Sequence, residues 1–360
     1  MTINSITEKY GIDLQIGFTD ICSFRCIMCL QTSHSGLYGS KDIKTPFLHK
    51  DNQGFMSYNT LENIFIGLEN FKKIRLIKLQ WLGESLLHPN FIEFTKRIIN
   101  EKISKNIMAT STFFNIDIVK INQLLKAVKN SSSEFYLLIS LDSFKASTYK
   151  VIKGIDVLKT VLNNIDNLIF SRKKMGVENF HIILQMIVME ENHLEAKEFL
   201  LKSKEILENP LIIYDQEAVP MLSHDKVFFK RLGAVKQKKY ERLHIDTLKS
   251  IGILPNKISS DKRIITTSTI NSNKGRRPCP APFLTPTINW DGSVTVCCMD
   301  AELELKIGNI NESTLYELWS NNYIKSLRQA HINSNYEMFP RCARCENIDL
   351  LPINTRDYRL

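Results

Sequence analysis

Three cysteines near the start of the chain, Cys22, Cys26 and Cys29, are spaced C-x3-C-x2-C within Cys22-Ser23-Phe24-Arg25-Cys26-Ile27-Met28-Cys29. Thiolates at this spacing can wrap one side of a [4Fe–4S] cube. Three ligands for four irons leave one iron open to a substrate or cosubstrate. A zinc knuckle is the alternative, but zinc sites usually close all four positions, and no fourth ligand lies near in sequence. The remaining five of the eight cysteines, Cys279, Cys297, Cys298, Cys342 and Cys345, come only after 249 cysteine-free residues. This polarised distribution suggests two metal-bearing modules. In the second, an upstream cysteine, a hairpin cysteine and a C-x2-C pair supply four thiolates. That is a complete set for a cluster or for zinc, and spacing alone does not choose between them.

The elements that must position these groups follow from periodicity. Residues 12–19 alternate apolar and polar, as a strand should, and the first cysteine loop follows directly. Residues 30–56 read as a loop able to cover a site. Residues 58–72 carry helical spacing at Leu61, Ile64, Phe65 and Leu68, with Ser57 as N-cap. Strands at 74–81, 106–112, 135–141, 181–189 and 211–214 alternate with helices at 91–103, 116–129, from 146, 157–174 and 193–208. Alternation of this kind predicts parallel β/α units with right-handed crossovers. Six units between residues 12 and 215 are too few for an eight-unit barrel, whose active sites lie at the C-terminal strand ends. Arg172 and Lys173 read as a solvated helix end. Residues 226–277 are rich in Lys and Arg and read as a basic linker with some helix near 236–250. Beyond it, residues 287–296 form a hairpin about Asp291-Gly292 that delivers Cys297 and Cys298.

With 360 residues, 43% of them hydrophobic, the chain can bury one large domain or somewhat more. The sequence holds no run of eighteen apolar residues and starts without a signal-peptide pattern, so the expectation is a cytoplasmic protein with reduced cysteines and no membrane partner. The formal charge of +9 fits lysine-rich solvated surface, and without a zinc finger, RNP or Walker motif no nucleic-acid partner is expected.

At the first cysteine motif the chain resembles the radical S-adenosylmethionine (SAM) enzymes, although Met28 stands where that family commonly has an aromatic residue. The residues Cys279-Pro280, Asp291-Gly292, Cys297-Cys298-Met299-Asp300, Gly308-Asn309-Ile310, Glu317-Leu318-Trp319 and Cys342-Ala343-Arg344-Cys345 resemble the SPASM/twitch extension of such enzymes, in a shortened one-cluster form. The resemblance implies an α/β fold: a partial (β/α)6 TIM-like barrel over 1–225, the basic linker over 226–277, and a small cysteine-rich α+β module over 278–360. It implies a SAM-binding [4Fe–4S] cluster on Cys22, Cys26 and Cys29, SAM on its open iron, and an auxiliary [4Fe–4S] cluster on Cys279, Cys297, Cys342 and Cys345.

Gly83 and Glu84 match two residues of the family's Gly-Gly-Glu turn, with Leu82 replacing the first glycine; the implied role is the SAM amino group. Ser140 and Asp142 are implied ribose contacts, with Asp142 as a turn cap the rival reading. Gln185 is expected to face SAM or substrate from inside the barrel. Cys298 is left over: a substitute ligand, an inert thiol or a hydrogen-atom donor, opposite in direction to Cys297 if the strand continues.

The implied activity is reductive cleavage of SAM to a 5′-deoxyadenosyl radical that abstracts hydrogen from substrate, with an electron donor such as flavodoxin or ferredoxin. With fewer than 22 residues before Cys22, no fused peptide-recognition domain is expected there, which favours a sugar- or aminocyclitol-like substrate, oxidised or epimerised. A peptide-modifying maturase is the alternative. A non-catalytic iron–sulfur protein or a zinc-stabilised nucleic-acid-binding module is the reading from another class.

Overall fold

The computed structural model describes residues 11–31, 53–214, 222–232, 237–254, 279–343 and 345. Most of the expected covering loop over 30–56 and about half of the linker lie outside them. In chain order the elements are β1 (Ile12–Ile16), α1 (Tyr58–Phe65), β2 (Ile74–Leu79), α2 (Phe91–Glu101), β3 (Asn106–Ser111), α3 (Ile118–Lys129), β4 (Glu134–Ser140), α4 (Ala146–Lys153) and α5 (Leu158–Met175). There follow β5 (Phe180–Val188), α6 (Ala196–Leu207), β6 (Leu211–Ile213), β7 (Lys226–Arg231) and α7 (Gln237–Ser250). The C-terminal part has α8 (Ala281–Leu284), β8 (Thr287–Ile288), β9 (Ser293–Thr295), β10 (Lys306–Asn309), α9 (Leu315–Leu318), α10 (Asn322–Ile332) and α11 (Pro340–Ala343).

Among the described residues ten strands form one sheet in the order β10-β9-β8-β1-β2-β3-β4-β5-β7-β6. From β8 through β6 neighbours run parallel; the hairpin strands β8, β9 and β10 pair antiparallel. This is an open α/β sheet of the partial-barrel type. Residues 226–231, read as the start of a linker, are instead β7, which inserts between β5 and β6. The short β6 is left at the edge. The reason is local: Val227, Phe228 and Phe229 are buried, but Lys226, Lys230 and Arg231 bracket them and mask the apolar run. The helix expected near 236–250 is α7.

Strand alternation sorts the side chains into two layers. Outward-facing Leu14, Ile77, Leu137, Ile182 and Phe229 belong to the large core beneath the helices. Inward-facing Leu76, Met108, Tyr136, Leu138, Ile183, Ile213 and Phe228 form a separate cluster from six strands. Local sequence fixes the helix ends. Ser57 accepts from Thr60 N at 3.0 Å and Asp117 from Lys120 N at 2.8 Å, caps that typically contribute about 1 kcal/mol each. Arg172, expected on a solvated helix end, is half-buried in a bidentate pair with Asp225, 2.6 Å on both arms. Asp225 immediately precedes β7.

Candidate active site

The cysteine loop sits where β1 ends, and two walls hold it. The first is the turn after β2. Glu84 N donates to Ile21 O at 2.9 Å, and Gly83 N donates to Gln31 Oε1 at 3.2 Å, while Gln31 Nε2 donates to Asp20 O at 2.8 Å. Gly83 has φ +78°, and a Cβ there would lie 2.4 Å from Thr19 O. Both the conformation and the close approach demand glycine. The second wall is the C-terminal end of α4: Arg25 N donates to Lys153 O and Ile27 N to Ile152 O, both at 3.0 Å. Gly154, at φ +75°, would place a Cβ 2.7 Å from Arg25 Cβ. Met28 is buried against Ile152, Met189, Leu232 and Tyr240, so it anchors the loop to the ends of α4, β5 and β7 and to α7.

The sequence-predicted residues fall around this loop. Glu84 is buried; it accepts from Leu86 N at 3.2 Å through one oxygen, and from Thr112 N at 2.8 Å and Thr112 Oγ1 at 2.7 Å through the other. The carboxylate therefore ties the end of β2 to the end of β3, with its charge bearing on Cys22. Asp142 is fully buried in the left-handed region at φ 64°. It accepts from Lys153 Nζ at 2.6 Å, Ile187 N at 2.7 Å and Ser140 Oγ at 3.3 Å. Ser140 also accepts from Lys153 Nζ at 3.0 Å. Gln185 pairs in register with Ser140 and Phe228, which places it on the inward face.

Lys153 was not singled out from sequence. It is 1% exposed, and despite desolvation its pKa is raised by Asp142 first and then by Cys26. A lysine closing a helix looks solvated in sequence; only the tertiary packing buries it.

The thiols feel one another. Burial pushes Cys22 up to about 12, with Glu84, Cys26 and Cys29 adding. Burial pushes Cys26 up to about 11, opposed by Lys153. Buried, mutually repelling thiols of this kind ionise when a cation binds among them, so their chemistry fits iron ligation. Among the described residues no three His, Cys, Asp or Glu side chains gather closely enough to share one metal ion. A four-iron cluster asks instead for one thiolate per iron.

The second cysteine set is assembled by the C-terminal hairpin. Burial raises Cys279, with Cys345, Cys342 and Cys298 adding. Its amide donates to His331 Nδ1 at 3.1 Å. Cys345 N donates to Cys342 O at 3.2 Å, so the C-x2-C pair closes a turn. Cys297 and Cys298 do not diverge as strand alternation requires. β9 ends at Thr295, and residues 297–300 form a turn with Asp300 N on Cys297 O at 3.1 Å. Asp300 organises that turn, accepting from Thr295 Oγ1 at 2.6 Å, Leu305 N at 2.9 Å and Glu304 N at 3.0 Å. The adjacent Cys297 and Cys298 thiols perturb one another, which raises Cys297 and lowers Cys298. The Lys78 and Lys230 charges lower Cys298 further.

The module is built onto the barrel. β8 pairs with β1 (Gln15 with Thr287), and Trp81 Nε1, at the end of β2, donates to Cys298 O at 3.0 Å. The backbone of Gly54 lies on the Trp290 ring, where a Cβ would come within 2.3 Å. Lys153 and Asp142 form a buried ion pair at 2.6 Å, and the Lys153 charge bears on Cys26.

A parallel partial barrel with one cysteine loop at its strand ends and a second cysteine set joined to its edge defines a class of iron–sulfur protein. Comparison with known proteins agrees. Residues 279–346 match SPASM, described as an iron-sulfur cluster-binding domain. The "Tungsten-containing aldehyde ferredoxin oxidoreductase cofactor-modifying protein" of Pyrococcus furiosus is 20% identical over 350 residues, 92% of this chain and 86% of that protein. The "GTP 3′,8-cyclase" of Clostridium acetobutylicum is 25% identical over 340 residues, 91% of this chain and 94% of that one. Among solved structures, native anSMEcpe with bound AdoMet superposes with TM-score 0.53 at 18% identity, covering 94% of this chain and 87% of that one. Streptococcus suis SuiB bound to precursor peptide SuiA gives TM-score 0.54 at 12% identity, covering 90% and 69%. Residues 279–346 thus match an iron–sulfur cluster-binding domain, and the chain as a whole shares the fold of the AdoMet-bound structure.

Proposed function

We propose that this enzyme cleaves SAM reductively and abstracts a hydrogen atom from a small molecule, which is then oxidised or epimerised. The observation that carries the reading is the Cys22–Cys29 loop held at the end of β1 against Gly83 and Glu84, with the Cys297–Cys298 turn joined to the same end by Trp81 Nε1 and Cys298 O. Cys22, Cys26 and Cys29 would hold the SAM-binding [4Fe–4S] cluster; Cys279, Cys297, Cys342 and Cys345 would hold the auxiliary one. When bound and reduced by an external one-electron donor, the first cluster and SAM supply the 5′-deoxyadenosyl radical that takes the hydrogen.

The protein's own contribution is placement. Gly83 brings backbone against the cysteine loop, and Glu84 sets a carboxylate on the side where the SAM ammonium would lie. Ser140, at the end of β4, and Gln185, paired with it inside β5, face inward, and Asp142 holds that end in shape through Lys153 and Ile187 N. The Lys78 and Lys230 charges bear on Cys298, whose thiol could return a hydrogen atom to a substrate radical. The name of the Clostridium relative, GTP 3′,8-cyclase, supports a small molecule over a peptide.

The test is anaerobic reconstitution followed by incubation with SAM and dithionite. We expect about eight irons per chain and production of 5′-deoxyadenosine that Cys26→Ala abolishes. Strong 5′-deoxyadenosine production by that variant would sink the assignment. About four irons with one zinc would refute the auxiliary cluster.

A further inference from the structure

We propose that His331 positions Cys279 in the auxiliary site and keeps the Cys279 amide off the sulfurs of a cluster held there; this rests on the reading of the second cysteine set as iron ligands. Cys279 is buried two residues before α8, and a buried amide needs an acceptor. In an iron–sulfur site the sulfurs themselves can accept, and an amide turned to one of them shifts the reduction potential. Here the Cys279 amide donates instead to His331 Nδ1 at 3.1 Å. The imidazole is 1% exposed. Because Nδ1 accepts, the neutral ring carries its proton on Nε2.

The ring is fixed from both sides of the module. His331 and Arg328 lie about one turn apart on α10, on the same face. Arg328, fully buried, donates from Nε to Pro282 O at 2.7 Å and from Nη1 to Trp319 O at 2.9 Å, so the helix grips α8 at a second point. Tyr336 packs edge-on against the His331 ring, with centroids 4.9 Å apart. From Tyr336 the chain turns, Phe339 N donating to Tyr336 O and Ala343 N to Phe339 O, both at 2.9 Å, and this turn carries Cys342. Tyr323, in the first turn of α10, packs edge-on against Phe339 at 5.7 Å. One imidazole thus touches the backbone of the Cys279 arm and the ring that leads into the Cys342 arm. A residue placed so sets the separation of two ligands and decides where the amide of one of them points.

The test isolates the second site and needs no turnover. Cys26→Ala removes a ligand of the first cluster, so the iron that remains after anaerobic reconstitution, about four per chain, reports the auxiliary site. In that background His331→Leu fills the space but leaves the buried amide without its acceptor. Iron release to a chelator should quicken roughly tenfold to a hundredfold, the worth of an unmade buried hydrogen bond. The freed amide, turned to sulfur, stabilises the more negative reduced state and should raise the midpoint potential. His331→Asn sets an amide oxygen near the place of Nδ1 and should restore both, which a merely space-filling role would not predict. Unchanged release and potential in His331→Leu, or a defect that His331→Asn does not reverse, overturns the inference and leaves the cluster reading standing. A Cys26→Ala chain that holds zinc in place of iron overturns both.

Discussion

Replacing Lys153 by Met tests the packing argument most directly. Lys153 and Asp142 are 1% and 0% exposed, with Nζ and Oδ2 2.6 Å apart. Removing one partner of a buried pair leaves the other charge uncompensated and costs about 3–5 kcal/mol. Asp142 keeps Ile187 N at 2.7 Å and Ser140 Oγ at 3.3 Å, which argues for the lower end. About 3 kcal/mol is on the order of a hundredfold in the unfolding equilibrium. Urea unfolding of the reconstituted protein, followed by circular dichroism, reads it as a fall in midpoint at unchanged slope. Adding Asp142→Asn removes the orphaned charge, and Asn tolerates the left-handed backbone, so the double variant should recover to within about 1 kcal/mol. The folded pKa of Lys153 lies above its ordinary 10.5. The stabilisation it brings is therefore full below pH 10.5 and is lost only as pH rises beyond that value towards the folded pKa. The variant's deficit should be the same at pH 7 and pH 9. A deficit under about 0.5 kcal/mol, no larger than an ordinary surface change, or one that vanishes between those pH values, would refute the reasoning.

Two further outcomes follow from the same geometry. Gly83→Ala forces a Cβ to within 2.4 Å of Thr19 O at φ +78° and should cost at least about 2 kcal/mol, lowering the unfolding midpoint and the iron bound at the first loop; wild-type stability and iron would contradict it. Cys298→Ala should keep its iron yet yield product without carbon-bound deuterium in deuterated water. Lost iron would make Cys298 a ligand, and unchanged deuterium a bystander.

The cysteine spacing and the β/α alternation were legible because both are local. What sequence hid was anything whose meaning depends on which way a charge faces. Lys226, Lys230 and Arg231 read as linker because charges usually mark solvent, whereas here the β7 lysines point into the barrel and the strand between them is buried. Lys153, at the end of α4, drew no notice for the same reason. The Cys297–Cys298 pair misled differently. Alternation was extrapolated one turn too far, past Thr295, where Asp300 collects three hydrogen bonds and folds the chain back.

These inward charges share an explanation. A buried ion pair is a poor source of stability, because desolvation offsets most of its attraction. Lys153 and Asp142 are better understood as fixing geometry: one end lies beside Cys26 and the other closes the end of β4 against Ile187. A cation beside a set of thiolates also moderates the negative charge that a bound cluster accumulates on reduction. Lys153, whose carbonyl anchors the loop, would thus favour the reduced form of a cluster held there. The Asp142 carboxylate bears on Lys230 as well as on Lys153, so one buried anion serves both inward cations.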